Sequence, residues 1–112
     1  MSKEWMLKTL ENLGLKHLDA EVYVYLAQHD PQKAKDIAEA LETYKQQLYR
    51  SLKNLQLKRM VSVSQEHPLS FSAVAFDEVL DSFIKANRET AQNIERNKDQ
   101  ILSIWRSKIT ET

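Results

Sequence analysis

Apolar residues return every three or four positions through the first half of this chain, and three breaks divide them into four helices. Trp5, Met6, Leu7, Leu10 and Leu13 mark the first, which ends at the chain's only glycine, Gly14, in a left-handed cap position. From Leu18, the apolar set Val22, Tyr23, Tyr25 and Leu26 carries a second helix to His29. There Asp30-Pro31 stops it, because proline disfavours helical geometry in its predecessor. A third helix, Lys33 to Leu41, gathers Ala34, Ile37, Ala38 and Leu41 on one side. After a tight break at Glu42-Thr43 a fourth covers about 44–58, with Thr43 as N-cap and Gln46 completing a capping box. The third and fourth helices have the spacing of a helix-turn-helix.

The period then changes. Met60 to Ser64 alternates apolar and polar, Glu66-His67-Pro68 turns, and Leu69 to Val74 alternates again, which predicts a β-hairpin. From Asp77 to about Ile109 the helical period returns for 33 residues, roughly 50 Å at 1.5 Å per residue. The expected architecture is mainly α with a small β-hairpin: a winged helix-turn-helix over 1–76, followed by a long C-terminal dimerisation helix over 77–112.

Composition narrows the chemistry. Of 112 residues, 42% are hydrophobic and 29% charged, the balance of one folded soluble domain. The absence of cysteine excludes disulfides, thiolate metal sites and a cysteine nucleophile, and suits a reducing, cytoplasmic setting. The N-terminus has the acidic residues Glu4 and Glu11 instead of an apolar signal core, and the longest apolar run, Val22 to Ala27, is too short to span a membrane. His17, His29 and His67 are scattered without metal-ligand spacing, one glycine cannot build a phosphate loop, and no Ser/His/Asp set has local support. The expected protein is not an enzyme and needs neither metal nor cofactor.

Charge is unevenly placed. Basic and acidic residues number 16 each, yet Thr43 to Gln65 holds Lys45, Arg50, Lys53, Lys58 and Arg59 with no Asp or Glu. At about 100° per residue, Leu48, Leu52 and Leu55 point to one side of the fourth helix. Gln46, Arg50 and Lys53 point to the other, flanked by Gln47 and Asn54. Double-stranded DNA offers phosphates to cations and base edges to amide and guanidinium groups. Tyr44, Lys45 and Lys53, with Lys35 from the third helix, suit phosphates; Gln46, Gln47 and Arg50 suit base readout in the major groove. The rival for such a polar helix is a winged-helix module that binds protein, which the chain's overall neutrality favours. Tyr23, Tyr25 and Tyr49 sit among apolar residues and read as core or its margin. A small-ligand pocket between the second helix and a partner's last helix is the other use for them.

The segments Leu13-Gly14-Leu15, Ala20-Glu21-Val22-Tyr23, Ala34 to Ala40, Leu48-Tyr49-Arg50-Ser51-Leu52 and Phe71-Ser72-Ala73-Val74 together resemble the N-terminal domain of TrmB-family archaeal transcription regulators, from about Leu10 to Leu80. The resemblance implies operator binding through the winged helix. It also implies a large sugar-sensing C-terminal domain, for which 112 residues leave no room, so no small-molecule effector is evident. The family's polar start of the recognition helix falls on Tyr44, Lys45, Gln46 and Gln47, where a proline and two basic residues are more usual. Glutamines there favour adenine edges. Arg59 stands where a glycine is expected after that helix. The wing tip, Glu66 to Ser70, lacks the Arg and Lys that such wings carry.

In the last helix, Leu80, Asn87, Ile94, Ile101 and Lys108 alternate with Ile84, Ala91, Lys98 and Trp105 in a heptad seam interrupted by polar members. A head of about 70 residues cannot cover so long a helix, which predicts a homodimer formed through Leu80, Ile84, Ala91, Ile94, Ile101 and Trp105. Trp5, with Met6 and Leu10, completes that interface. Packing back onto the chain's own first helix is the alternative.

Overall fold

The computed structural model describes residues 2–29 and 31–111. Its elements are α1 (Lys3–Asn12), α2 (His17–Gln28), α3 (Ala34–Leu41), α4 (Lys45–Leu57), β1 (Val61–Val63), β2 (Phe71–Ala73) and α5 (Phe76–Glu111). The chain divides into two compact units between Val79 and Leu80. Among the described residues, no helix is long and apolar enough to cross a membrane.

In the first unit α2 is the central element, packed against α1, α3, α4 and β2. Its Ala20, Val22 and Leu26 are at most 2% exposed and meet a core completed by Ile37 of α3, Leu48, Leu52 and Leu55 of α4, and Met60. Two short antiparallel strands pair Val61 with Ala73 and Val63 with Phe71. Gln32, between α2 and α3, adds a bridge by exchanging both backbone hydrogen bonds with Phe71, at 3.0 and 2.8 Å. Tyr23 spans the unit: its hydroxyl donates to the Val74 carbonyl at 2.6 Å, and burial, then the Asp77 carboxylate, push its pKa up to about 12.

Three helix ends share one device. Gly14 (φ 103°), Glu42 (φ 51°) and Arg59 (φ 60°) all adopt the left-handed conformation. After each, the next residue's N–H reaches five residues back: Leu15 to Leu10, Thr43 to Ala38 and Met60 to Leu55, at 2.9–3.2 Å. These are Schellman closures, which satisfy carbonyls the helix leaves open. Residue type signals only the first, because Glu42 and Arg59 lack glycine's freedom at positive φ; Arg59 takes the left-handed conformation at the place where the resemblance expects a glycine.

Several boundaries differ from expectation. Thr43 does not cap α4; the N-cap is Tyr44, with no side-chain cap bond. The Thr43 hydroxyl donates instead to the Gln47 side-chain oxygen at 3.2 Å. Lys33 is the N-cap of α3 and His29 the C-cap of α2. The Asp30 half of the stop signal lies outside the described residues.

The second unit is the helical stretch of α5 from Leu80 onward. From Ile84 to Glu111 every residue is exposed. Ile84, Ile94, Ile101, Ile104 and Trp105 are 48–63% exposed, although they follow a helical period as regular as that of α4. Lys108 and Glu111 form an ion pair at 3.6 Å near its end.

Candidate nucleic-acid interface

The face of α4 is set by what anchors it. Leu48, Leu52 and Leu55 are at most 1% exposed, so the opposite side must meet solvent. Rotation about the helix axis has a second, polar constraint. Ser51 and Asp19, the buried polar residues of the described chain, meet across 32 positions, the Ser51 hydroxyl donating to the Asp19 carboxylate at 2.5 Å. A buried carboxylate without that donor would be left poorly solvated. The pair therefore ties α4 to α2 in one register. Their separation in sequence hid this contact.

On the solvent side the structure brings together Lys45, Gln46, Gln47, Arg50 and Lys53, all exposed, with Asn54 half-buried at their flank. Tyr44, at the helix entry, is 79% exposed. Among the described residues the ion pairs are His17 with Glu11 and Glu21, and Lys108 with Glu111, so none occupies a cation of α4. The first turn of α4 carries no acidic residue. Its open N–H groups and the positive end of the helix dipole thus add to Lys45 in favouring an anion. Lys35 is exposed on α3.

Tyr49 corrects the sequence reading. It is 53% exposed and belongs to the polar side of α4, not to the core or its margin. The signal was available: Tyr49 stands four residues from both Lys45 and Lys53, on the ridge they define. Tyr23 is buried and Tyr25 half-buried, stacked on His29 at 4.1 Å between ring centroids.

The wing tip offers little to phosphate. Ser64 closes it, accepting from the Ser70 N–H at 2.9 Å and donating to the Glu66 carbonyl at 3.1 Å. Glu66, His67, Pro68 and Leu69 are exposed there without a lysine or arginine.

The residues expected at a dimer interface separate into two kinds. Trp5 is 53% exposed on α1, whereas Leu10 is 3% exposed and belongs to the core of its own unit. Trp5 and Met6 line an apolar cavity of about 380 Å³ with Tyr23, Val24, Val74 and Phe76. Leu80 is half-buried, while Ile84, Ala91, Ile94, Ile101 and Trp105 are exposed along α5. Among the described residues no cluster of His, Asp and Glu could hold a metal ion.

A helix-turn-helix of α3 and α4, followed by a hairpin and a further helix, defines a winged helix-turn-helix fold. Residues 10–77 match the family described as sugar-specific transcriptional regulator TrmB, and the chain belongs to that family. Among solved structures, TrmBL2, described as an archaeal chromatin protein with a novel mode of DNA binding, has a TM-score of 0.78 at 22% identity. That likeness covers 100% of this chain, which spans 45% of the TrmBL2 chain. A possible transcriptional regulator from Methanosarcina mazei Go1 has a TM-score of 0.64 at 14% identity, over 79% of this chain and 80% of the other. A variant of S. aureus MepR bound to an oligodeoxyribonucleotide has a TM-score of 0.57 at 18% identity, over 98% and 89%. At these identities the likeness establishes the fold. No curated protein matches the sequence.

Proposed function

We propose that this chain is a non-enzymatic, dimeric transcription regulator that binds double-stranded DNA by inserting α4 into the major groove. One observation carries the reading: α4 buries Leu48, Leu52 and Leu55 and presents Lys45, Gln46, Gln47, Arg50 and Lys53 to solvent within a 23-residue window free of Asp and Glu. Tyr44, Lys45, Lys53 and Lys35 contact phosphates. Gln46 and Gln47 read adenine edges and Arg50 a guanine, the bidentate pairings their geometries favour. Pairing through α5 gives an inverted-repeat site with half-sites about 34 Å apart or a multiple of it. Membership of a transcription-regulator family supports the assignment, as does a DNA-bound neighbour of the same fold.

A second reading, a module that docks on another protein through α4 or the wing, is favoured by the wing tip's lack of cations. Salt separates the two. Phosphate-driven affinity for a random duplex falls steeply with added salt, by roughly 0.9 in the logarithmic slope per phosphate neutralised. A duplex affinity that is undetectable or indifferent to salt removes the DNA reading and leaves the protein-binding one.

A further inference from the structure

We infer that two copies of α5 pair antiparallel, about a two-fold axis between Gln92 and Asn93. The inference rests on the pairing of α5 proposed above and adds its direction and register. Its basis is the order of charges along a helix that the chain leaves in water from Ile84 onward.

The seam of α5 runs from Leu80 to Lys108 in alternating steps of four and three, with Asn87, Lys98 and Lys108 as its polar members. Parallel, in-register pairing sets each seam residue against its own copy. Lys98 would then face Lys98, and Lys108 would face Lys108, like charges whose juxtaposition is costly. The flanks give no compensation in that arrangement. Phe83 would meet Arg88, Thr90 would meet Glu95 and Asn97 would meet Leu102, and none of these is a pair of opposite charges.

Antiparallel pairing centred between Gln92 and Asn93 removes the conflict. It layers Ala91 on Ile94, Ile84 on Ile101 and Leu80 on Trp105, and sets the polar Asn87 against Lys98. On one flank Arg88 meets Glu95 of the other copy; on the opposite flank Thr90 meets Asn97 and Phe83 meets Ile104. The two-fold axis makes each contact twice. Arg88 and Glu95 are both exposed, and among the described residues neither has an ion-pair partner within its own chain. Asp81, which falls beside Leu102, is the flanking charge left unmatched.

The same charges fix the register. A slip of one heptad in one direction places Arg88 on Arg88 and Asp81 on Glu95; the opposite slip places Glu95 on Glu95. Either slip also sets Lys98 against an apolar residue, Leu80 or Ile94. Charge and apolar seam are thus satisfied together in one arrangement, and the occupant it selects is a second copy of this chain.

The chain has no cysteine, so introduced ones report the contact. In this register the two copies of position 84 lie about 25 Å apart along the pair, beyond disulfide reach, while 84 and 101 are neighbours. Under mild oxidation of the full chain, Ile84→Cys and Ile101→Cys are expected to give a disulfide-linked dimer when mixed, and neither to do so alone. By sedimentation, Arg88→Glu should raise the dimer dissociation constant about tenfold, and adding Glu95→Arg to the same chain should restore it. A disulfide from Ile84→Cys alone overturns the antiparallel direction and leaves the pairing intact. An Arg88→Glu loss that Glu95→Arg does not restore overturns the register. A chain that sediments as a monomer, or as a dimer that no mixture cross-links, overturns both the inference and the pairing through α5.

Discussion

Helices α4 and α5 are both amphipathic, yet they dispose of their apolar sides in opposite ways. In α4, Leu48, Leu52 and Leu55 are sealed against α2 and α3, and what remains outside is mainly polar and cationic, with Tyr49 and Leu57 exposed beside it. In α5, Ile94, Ile101, Ile104 and Trp105 are about half or more exposed. Periodicity states that a face needs covering but not what covers it. The fold answers that question for α4 inside the chain, which frees its other face for an anionic partner. For α5 beyond Ile84 the chain leaves the face exposed, and the pairing proposed above would cover it.

Substitutions can break this contrast in graded steps. Leu52→Ala opens a cavity in the core and should cost about 2–5 kcal/mol in denaturant unfolding. Ile101→Ala, at concentrations too low for pairing, should change stability by less than about 0.5 kcal/mol and lower only association. Equal effects would erase the distinction between the helices. Ser51→Ala strips the buried Asp19 carboxylate of its donor and should cost about 1–3 kcal/mol by the same assay. A neutral result would mean that Asp19 does not depend on α4.

On DNA, Arg50→Ala should lose about 1–3 kcal/mol of discrimination at one base position, read by competition between single-base variants of a selected site. Lys53→Ala should weaken all sequences alike and reduce the logarithmic salt slope by about 1. If the two substitutions act identically, the division of roles on α4 is wrong.

Smaller effects come from the helix ends. Arg59→Gly and Glu42→Gly each relieve a left-handed residue and should raise stability by up to about 1 kcal/mol in thermal melts, while Arg59→Ala should not. The smallest is pH-dependent. His17 donates toward Glu11 at 2.8 Å and Glu21 at 3.1 Å, and the Glu11 hydrogen bond, then the Glu21 charge, raise its pKa above 6.5. Because the folded value is raised, this link between α1 and α2 contributes fully below pH 6.5. It fades as pH climbs through the folded-state pKa. Glu11→Gln should flatten that part of a stability–pH curve, and an unchanged slope would show that the pair carries no linkage.

Much of the head was legible because its information is local. The leucine spacing of α4, the hairpin's alternation and Gly14 each announce themselves within a few residues. What escaped was either non-local or unsignalled. The Ser51–Asp19 bond joins positions 32 apart. The left-handed end at Glu42 is imposed by the chain's need to turn, against that residue's own preference, whereas at Arg59 the glycine expected from the family resemblance had marked the position. At Thr43 a local rule misled: the capping motif is present, but Tyr44 takes the cap and Thr43 turns to Gln47. Leu10, placed at the dimer surface from its spacing beside Trp5, is core.

The central claim is that the polar side of α4 meets DNA. Titrating the isotopically labelled chain with a short duplex at low salt, while following backbone and side-chain amide resonances, tests it residue by residue. The account predicts that the largest shifts fall between Tyr44 and Lys53, including the side-chain amides of Gln46 and Gln47, and reverse on adding salt. Shifts confined to the wing or to α5, with that stretch of α4 silent, would contradict it.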